Sequence, residues 1–201
     1  TVTVSGSGNL NVNNVAAGMT SFDASALSGN VTADLHAATG LATVKGGSGD
    51  DTITVTNLAA NAVIEGGAGN DSLILQGINS TLQPTMSGFE NITADGGTLT
   101  LSGKNMSDFN SLTVKNDAQV TLANMDASAF TVGFYGWFRL LSDATALTYN
   151  TVSSKTDKTS DSISTTVAAS KATSATVNVG EYTEVSGTLN FGAAVDVAVN
   201  V

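Results

Sequence analysis

A nine-residue pattern recurs twenty positions apart, with three Gly and one Asp at matching places. The two copies are Gly46-Gly47-Ser48-Gly49-Asp50-Asp51-Thr52-Ile53-Thr54 and Gly66-Gly67-Ala68-Gly69-Asn70-Asp71-Ser72-Leu73-Ile74. Each copy is a glycine-rich turn that runs into alternating hydroxyl and apolar residues. Similar runs lie on either side, at Val31-Thr32-Ala33 and Asn91-Ile92-Thr93-Ala94, behind turns containing Gly29 and Gly88. A strand and a turn repeating at this step describe one coil of a β-solenoid. A single coil cannot bury its apolar face, so stacking of neighbours makes the core. The alternation sends Val, Ile and Leu inward and the hydroxyls outward. Residues 1–134 are assigned to this stack, whose later runs, Leu99-Thr100-Leu101, Leu112-Thr113-Val114 and Val120-Thr121-Leu122, follow one another more closely.

Composition agrees with an all-β chain. Of 201 residues, 41% are hydrophobic and only 12% charged, with Gly at 21. Val and Thr suit pleated, half-buried surfaces, and Gly and Asn suit tight turns. The net charge of −10 argues against a general phosphate-neutralising surface, so no nucleic-acid partner is expected. Cys is absent, which excludes disulfides and thiolate metal sites. No apolar run is long enough for a transmembrane helix. The chain opens on Thr1 with no leader-like segment, the expectation for a fragment or a processed piece.

The character of the chain changes near Gly133. Phe134-Tyr135-Gly136-Trp137-Phe138-Arg139-Leu140-Leu141 holds four aromatics and the only Trp and Arg. Ser, Thr and Lys dominate from about 148 to 176, a stretch readable as strands or as a linker. Alternation returns in Val195-Asp196-Val197-Ala198-Val199-Asn200-Val201. Residues 135–201 therefore read as a smaller β-rich unit or the start of a neighbouring domain. The aromatic segment reads as a cap over the open end of the solenoid, or alternatively as a partner or glycan surface.

Both nonapeptides satisfy G-G-x-G-x-D-x-U-x, where U is a large apolar residue, here Ile53 and Leu73. This resembles the calcium-binding repeat of RTX proteins. The resemblance implies a calcium-binding, right-handed parallel β-solenoid (β-roll or β-helix), with ions held between loops stacked on one edge. The chemistry of the residues is compatible with it. Glycines let the turn curl so that backbone carbonyls converge, and Asp51 and Asp71 add carboxylates. An oxygen-only set suits Ca²⁺, while the lack of nearby His or Cys argues against zinc or copper. The implied ligand region comprises Gly46, Gly47, Ser48, Gly49 and Asp51 with Gly66, Gly67, Ala68, Gly69 and Asp71. At least one Ca²⁺ is expected between the two loops, on Asp51, Asp71 and loop carbonyls. Weaker sites near Gly29 and Gly88 would draw on Asp23 and Glu90. The opposite edge is expected to carry a longer, ion-free turn at Asn57-Leu58-Ala59-Ala60-Asn61. The alternative is a glycine turn whose Asp is merely solvated.

The wider phrasing, Met19-Thr20-Ser21-Phe22-Asp23-Ala24-Ser25-Ala26-Leu27 and Ser87-Gly88-Phe89-Glu90-Asn91-Ile92-Thr93 around sparse repeats, resembles bacterial surface-layer proteins exported by type I secretion. That resemblance implies a secreted, extracellular, non-enzymatic structural protein that self-associates into a calcium-dependent lattice on the cell surface. Cell-surface polysaccharide or lipopolysaccharide is an implied partner. The alternatives are an adhesin or a glycan- or ice-binding module, and a polysaccharide-active enzyme. For the last, Asp108, Asp117 and Asp126 recur every nine residues; they serve equally as turn residues. His36, the only His, reads as a surface or turn residue.

Overall fold

The computed structural model describes residues 1–81, 84–125, 129–142, 146–153, 161–168, 174–180, 183–190 and 196–201. The chain forms two compact units, Thr1–Thr93 with Asn105–Phe109, and Ala94–Lys104 with Asn110–Val201. Both are stacks of parallel strands, and the one helical element among the described residues is the short 3₁₀ turn Gly103–Asn105. The chain is thus a β-solenoid.

Unit 1 contains β1 (Val2–Gly6), β2 (Leu10–Val12), β3 (Ser21–Leu27), β4 (Val31–Asp34), β5 (Leu41–Lys45), β6 (Thr52–Val55), β7 (Leu58–Glu65), β8 (Ser72–Gln76), β9 (Asn79–Thr81), β10 (Thr85–Ser87) and most of β11 (Asn91–Asp95). One sheet has the order β1-β3-β5-β7-β10, and the other contains β2, β4, β6, β8 and β11 side by side. Each coil crosses once from the first sheet to the second, and those crossings carry Gly29, Gly46 to Gly49, Gly66 to Gly69, and Gly88. Both nonapeptide turns therefore lie on one edge.

Register gives the core its columns. Ala33 pairs with Ile53, and Ile53 with Leu73, in the second sheet. Phe22, Val44, Ile64 and Met86 align in the first. All seven side chains are buried. Their outward neighbours, such as Thr52, Thr54 and Ser72, are half-buried. Inward apolar and outward hydroxyl residues alternate as the sequence predicts.

One expectation is corrected. Leu58-Ala59-Ala60-Asn61 is not a turn but the start of β7. Leu41 pairs with Leu58 while Thr43 pairs with Val63, so the register breaks between them. The additional residues of the coil are absorbed as a bulge in that strand, and a short bend at Thr56 and Asn57 closes the edge.

Unit 2 continues with β12 (Thr98–Ser102), β13 (Ser111–Met125), β14 (Ala129–Ser142), β15 (Ala146–Ser153), β16 (Asp161–Ala168), β17 (Ser174–Val179), β18 (Thr183–Asn190) and β19 (Asp196–Asn200). The described pairings here are parallel. β14 lies against β13 on one side and against β15 and β16 on the other. The aromatic segment is consequently paired on both edges and does not cap an open strand. Trp137 stands in register between Gln119 and Ser164. The Ser/Thr-rich stretch contributes strands β15, β16 and β17. Ala146 meets Ser174 and Trp137 meets Ser164, so the coil lengthens here and the twenty-residue step is lost.

The stacked core sets a mutational contrast. Ile53→Ala should cost roughly 2–5 kcal/mol, the range for a buried Ile emptied in a packed core. Thr54→Ala, on the outward face, should change stability by about 0.5 kcal/mol or less. Urea unfolding followed by circular dichroism measures both, and equal losses would contradict the assigned faces.

Candidate functional site

The glycine edge brings the turns of successive coils unusually close. A Cβ on Gly67 would stand 1.9 Å from the Gly47 carbonyl oxygen, and Gly67 has φ of +120°, so both space and backbone require glycine there. A Cβ on Gly66 would stand 1.8 Å from the Gly88 carbonyl oxygen and 2.7 Å from Asp71 Oδ2. Gly46 has the same surroundings one coil earlier, with the Gly66 carbonyl oxygen at 2.0 Å and Asp51 Oδ2 at 2.4 Å. At each turn, removal of the side chain lets a carboxylate oxygen and a carbonyl oxygen from the next coil approach one point.

Two side-chain ladders tie these turns together, running in opposite directions. In the outer ladder each side chain serves the coil that follows. The Asn30 backbone N–H donates to Asn9 Oδ1 at 3.0 Å, that of Asp50 to Asn30 Oδ1 at 3.1 Å, and that of Asn70 to Asp50 Oδ1 at 2.9 Å. In the inner ladder each carboxylate serves the coil before. Val31 N–H donates to Asp51 Oδ1, Asp51 N–H to Asp71 Oδ1, and Asp71 N–H to Glu90 Oε2, each at 2.7 Å. Crowded turns cannot offer these N–H groups a regular strand partner, and buried donors must be satisfied. The carboxylates fill that role.

Asp51 and Asp71 are only 1% and 0% exposed, which rules out the reading of a solvated turn Asp. The two differ in one respect. Asp51 Oδ2 accepts a hydrogen bond from Gly47 N–H within its own turn, at 2.6 Å. Asp71 Oδ2 is buried without a hydrogen-bond partner. Burial raises both carboxyl pKa values above the ordinary range; for Asp51 the Gly47 and Val31 N–H groups partly offset it. Asp71 is pushed up to about 6, by burial first and then by repulsion from Asp51, Glu90 and Asp50, against a single opposing hydrogen bond from Asp51 N–H. The locus stores like charge in a poorly solvated place.

Of the residues singled out from the sequence, the structure gathers Gly46, Gly47, Asp51, Gly66, Gly67 and Asp71 on this edge, with Glu90 beside Asp71. Ser48 and Ala68 use their N–H groups to bond Leu27 and Gly47 carbonyls, and Gly49 and Gly69 make close stacking contacts. Asp23 does not join them. It lies in β3 opposite Lys45 and binds the N–H and hydroxyl of Ser25, which hold its pKa below the usual value. Asp108 and Asp117 have φ of 67° and 57°, left-handed turn conformations, and Asp126 lies outside the described residues. His36 is an exposed turn residue with Nδ1 2.7 Å from Asp34 Oδ1. The outer ladder of Asn9, Asn30, Asp50 and Asn70 escaped the sequence reading, although its members recur at 20 or 21 residues.

Among the described residues no three His, Asp or Glu side chains form a ready metal-ligand group, so a cation here would need backbone carbonyls for much of its shell. Ca²⁺ accepts such a mixture. The orphaned Asp71 oxygen, the Gly88 carbonyl converging with it and the surplus negative charge fit a hard cation. No protein-family model, curated protein or solved structure matches the chain.

The raised Asp71 pKa has a definite sign. Between about pH 4 and pH 6 the folded chain keeps a proton that the unfolded chain releases, so stability falls as pH rises through that window. In chelator, thermal midpoints should fall from pH 4 to pH 6.5, and Asp71→Asn should flatten the slope. An unchanged slope in the variant would remove Asp71 as its source.

Proposed function

We propose that the chain is a cation-stabilised structural segment, a calcium-dependent β-solenoid of a self-assembling surface-layer protein that works outside the cell. The observation that carries this reading is Asp71 Oδ2, buried and unpartnered among Asp50, Asp51 and Glu90. The two complete copies of the RTX-like nonapeptide support it, as does their placement on one edge.

The mechanism is linkage between folding and charge. In the extended chain the adjacent pair Asp50 and Asp51 is far from Asp71 and from Glu90, and the charges are screened by water and salt. Folding sets the carboxylates of Asp51, Asp71 and Glu90 against the backbone N–H groups of Val31, Asp51 and Asp71 and takes Asp51 and Asp71 out of solvent, with Asp50 exposed beside them. Their repulsion therefore opposes coil stacking. A bound Ca²⁺ supplies the missing positive charge and additional oxygen coordination. Low cation concentration keeps the chain loosely folded and compatible with export, and higher concentration outside tightens the coils. Ile53, Leu73 and the other core columns hold the remainder, so removal of the cation loosens the stack without emptying its core.

A structural role also accords with the residues once considered for sugar chemistry. Asp108 and Asp117 occupy left-handed turn positions, and the Asp108 carboxylate accepts the Gly88 N–H and the Ser107 hydroxyl. Among the described residues no helix is long and apolar enough to cross a membrane. Attachment to a cell surface is assigned to association between copies and to surface polysaccharide or lipopolysaccharide.

Calcium titration tests the reading. At a hundredfold excess over Kd the folded state gains about 2.7 kcal/mol, which for a chain of this size raises the thermal midpoint by roughly 5–10 °C. Light scattering should rise in parallel as copies associate. If EGTA alters neither the melting curve nor the scattering, the proposal is wrong.

A further inference from the structure

The two motif copies match at every fixed position yet differ in how their aspartates are used. In the first, Asp51 Oδ2 is closed off by the Gly47 N–H of its own turn, and Oδ1 by Val31 N–H. A backbone N–H aimed at a carboxylate oxygen directs positive charge to the place a cation would approach. It supplies the compensation that a cation would otherwise provide. In the second copy Gly67 has φ of +120°, and Asp71 Oδ2 has no such donor. Asp71 Oδ2 and the Gly88 carbonyl both face the position a Cβ of Gly66 would take, and Glu90 Oε2 accepts the Asp71 N–H. One turn further, Asp108 Oδ2 sits 3.2 Å from Gly88 N.

We infer that only the Gly66 turn holds a cation, on Asp71 Oδ2, the Gly88 carbonyl and Glu90, and that the Gly46 turn is a self-closed structural copy. This rests on the calcium reading above and departs from its simplest form, in which one ion lies between the two motif turns on Asp51 and Asp71. The site instead lies on the other side of the second turn, toward Gly88. Its acidic member from the next coil is Glu90, a residue outside either nonapeptide. Asp51 contributes by satisfying Val31 and Gly47, and is a positioning residue.

The test uses Ca²⁺ and the whole chain. Isothermal titration calorimetry on the unaltered protein should give one ion per chain. Asp71→Asn and Glu90→Gln should each weaken Ca²⁺ binding by about tenfold or more, since each removes a charged ligand. Asp51→Asn should leave the affinity within about threefold while lowering the melting temperature in EGTA, because its amide cannot accept the Gly47 N–H at Nδ2. Amide NMR provides a readout that needs no variant. The Gly88 and Asp71 signals should shift on Ca²⁺ addition, whereas the Gly47 amide should keep its position and its protection from exchange. Two ions per chain, a Gly47 shift as large as that of Gly88, or equal loss of affinity in Asp51→Asn and Asp71→Asn would overturn the inference while leaving calcium binding intact. Absence of Ca²⁺ binding in the unaltered chain would overturn both.

Discussion

Everything on the glycine edge follows from how closely consecutive turns must stack. The carbonyl oxygen of one coil occupies the space of the Cβ in the neighbouring coil at Gly46, Gly66 and Gly67. At that separation there is no room for water between turns, so each backbone N–H must find a partner within the protein. The inner ladder of Asp51, Asp71 and Glu90 supplies partners for Val31, Asp51 and Asp71. Carboxylates can accept several hydrogen bonds at once, which makes them suited to the task. They also bring charge, and at Asp51 and Asp71 that charge is held away from solvent.

Among the described residues, uncharged versions of the same device occur as well. Asn9 and Asn30 serve the coils that follow them, and in unit 2 the Asn200 amide donates to Asn178 Oδ1 at 2.7 Å. Side-chain amides both donate and accept, so a column of Asn can satisfy itself without net charge. Carboxylates serve the turns around Asp50, Asp51, Asp71 and Glu90, and Asp108 continues them by accepting the Gly88 N–H. The amide ladders carry no net charge, whereas Asp51 and Asp71 hold their carboxylates in buried positions.

Much of this was legible in the sequence, for identifiable reasons. The strands at Val31, Thr52 and Ser72 announced themselves because apolar and hydroxyl residues alternate with the period of a strand. The twenty-residue offset placed both motif turns on one edge because coils of nearly equal length repeat their corners. Leu58 to Asn61 read as a turn in the sequence and form strand in the fold, because Ala and Asn carry little strand preference and a bulge has no composition of its own. Asp23 appeared near Gly29 in sequence, but strand register sends it opposite Lys45. The aromatic segment around Trp137 reads as an ending only by composition; pairing on both edges of β14 is a non-local property. The different states of Asp51 and Asp71 were beyond sequence reading altogether. Both copies have Gly at the deciding positions, and the positive backbone angles at Gly67 and Gly69 distinguish the second from the first.

In the proposed site a cation, rather than the protein itself, compensates the buried carboxylate of Asp71. Crystals grown in CaCl₂ and measured at a wavelength where calcium scatters anomalously address it directly. The account predicts a single anomalous peak beside the Gly66 turn, with Asp71 Oδ2 and the Gly88 carbonyl oxygen at about 2.3–2.6 Å. A map with no peak there, and with Asp71 Oδ2 instead bonded to a backbone N–H as Asp51 Oδ2 is, would contradict it.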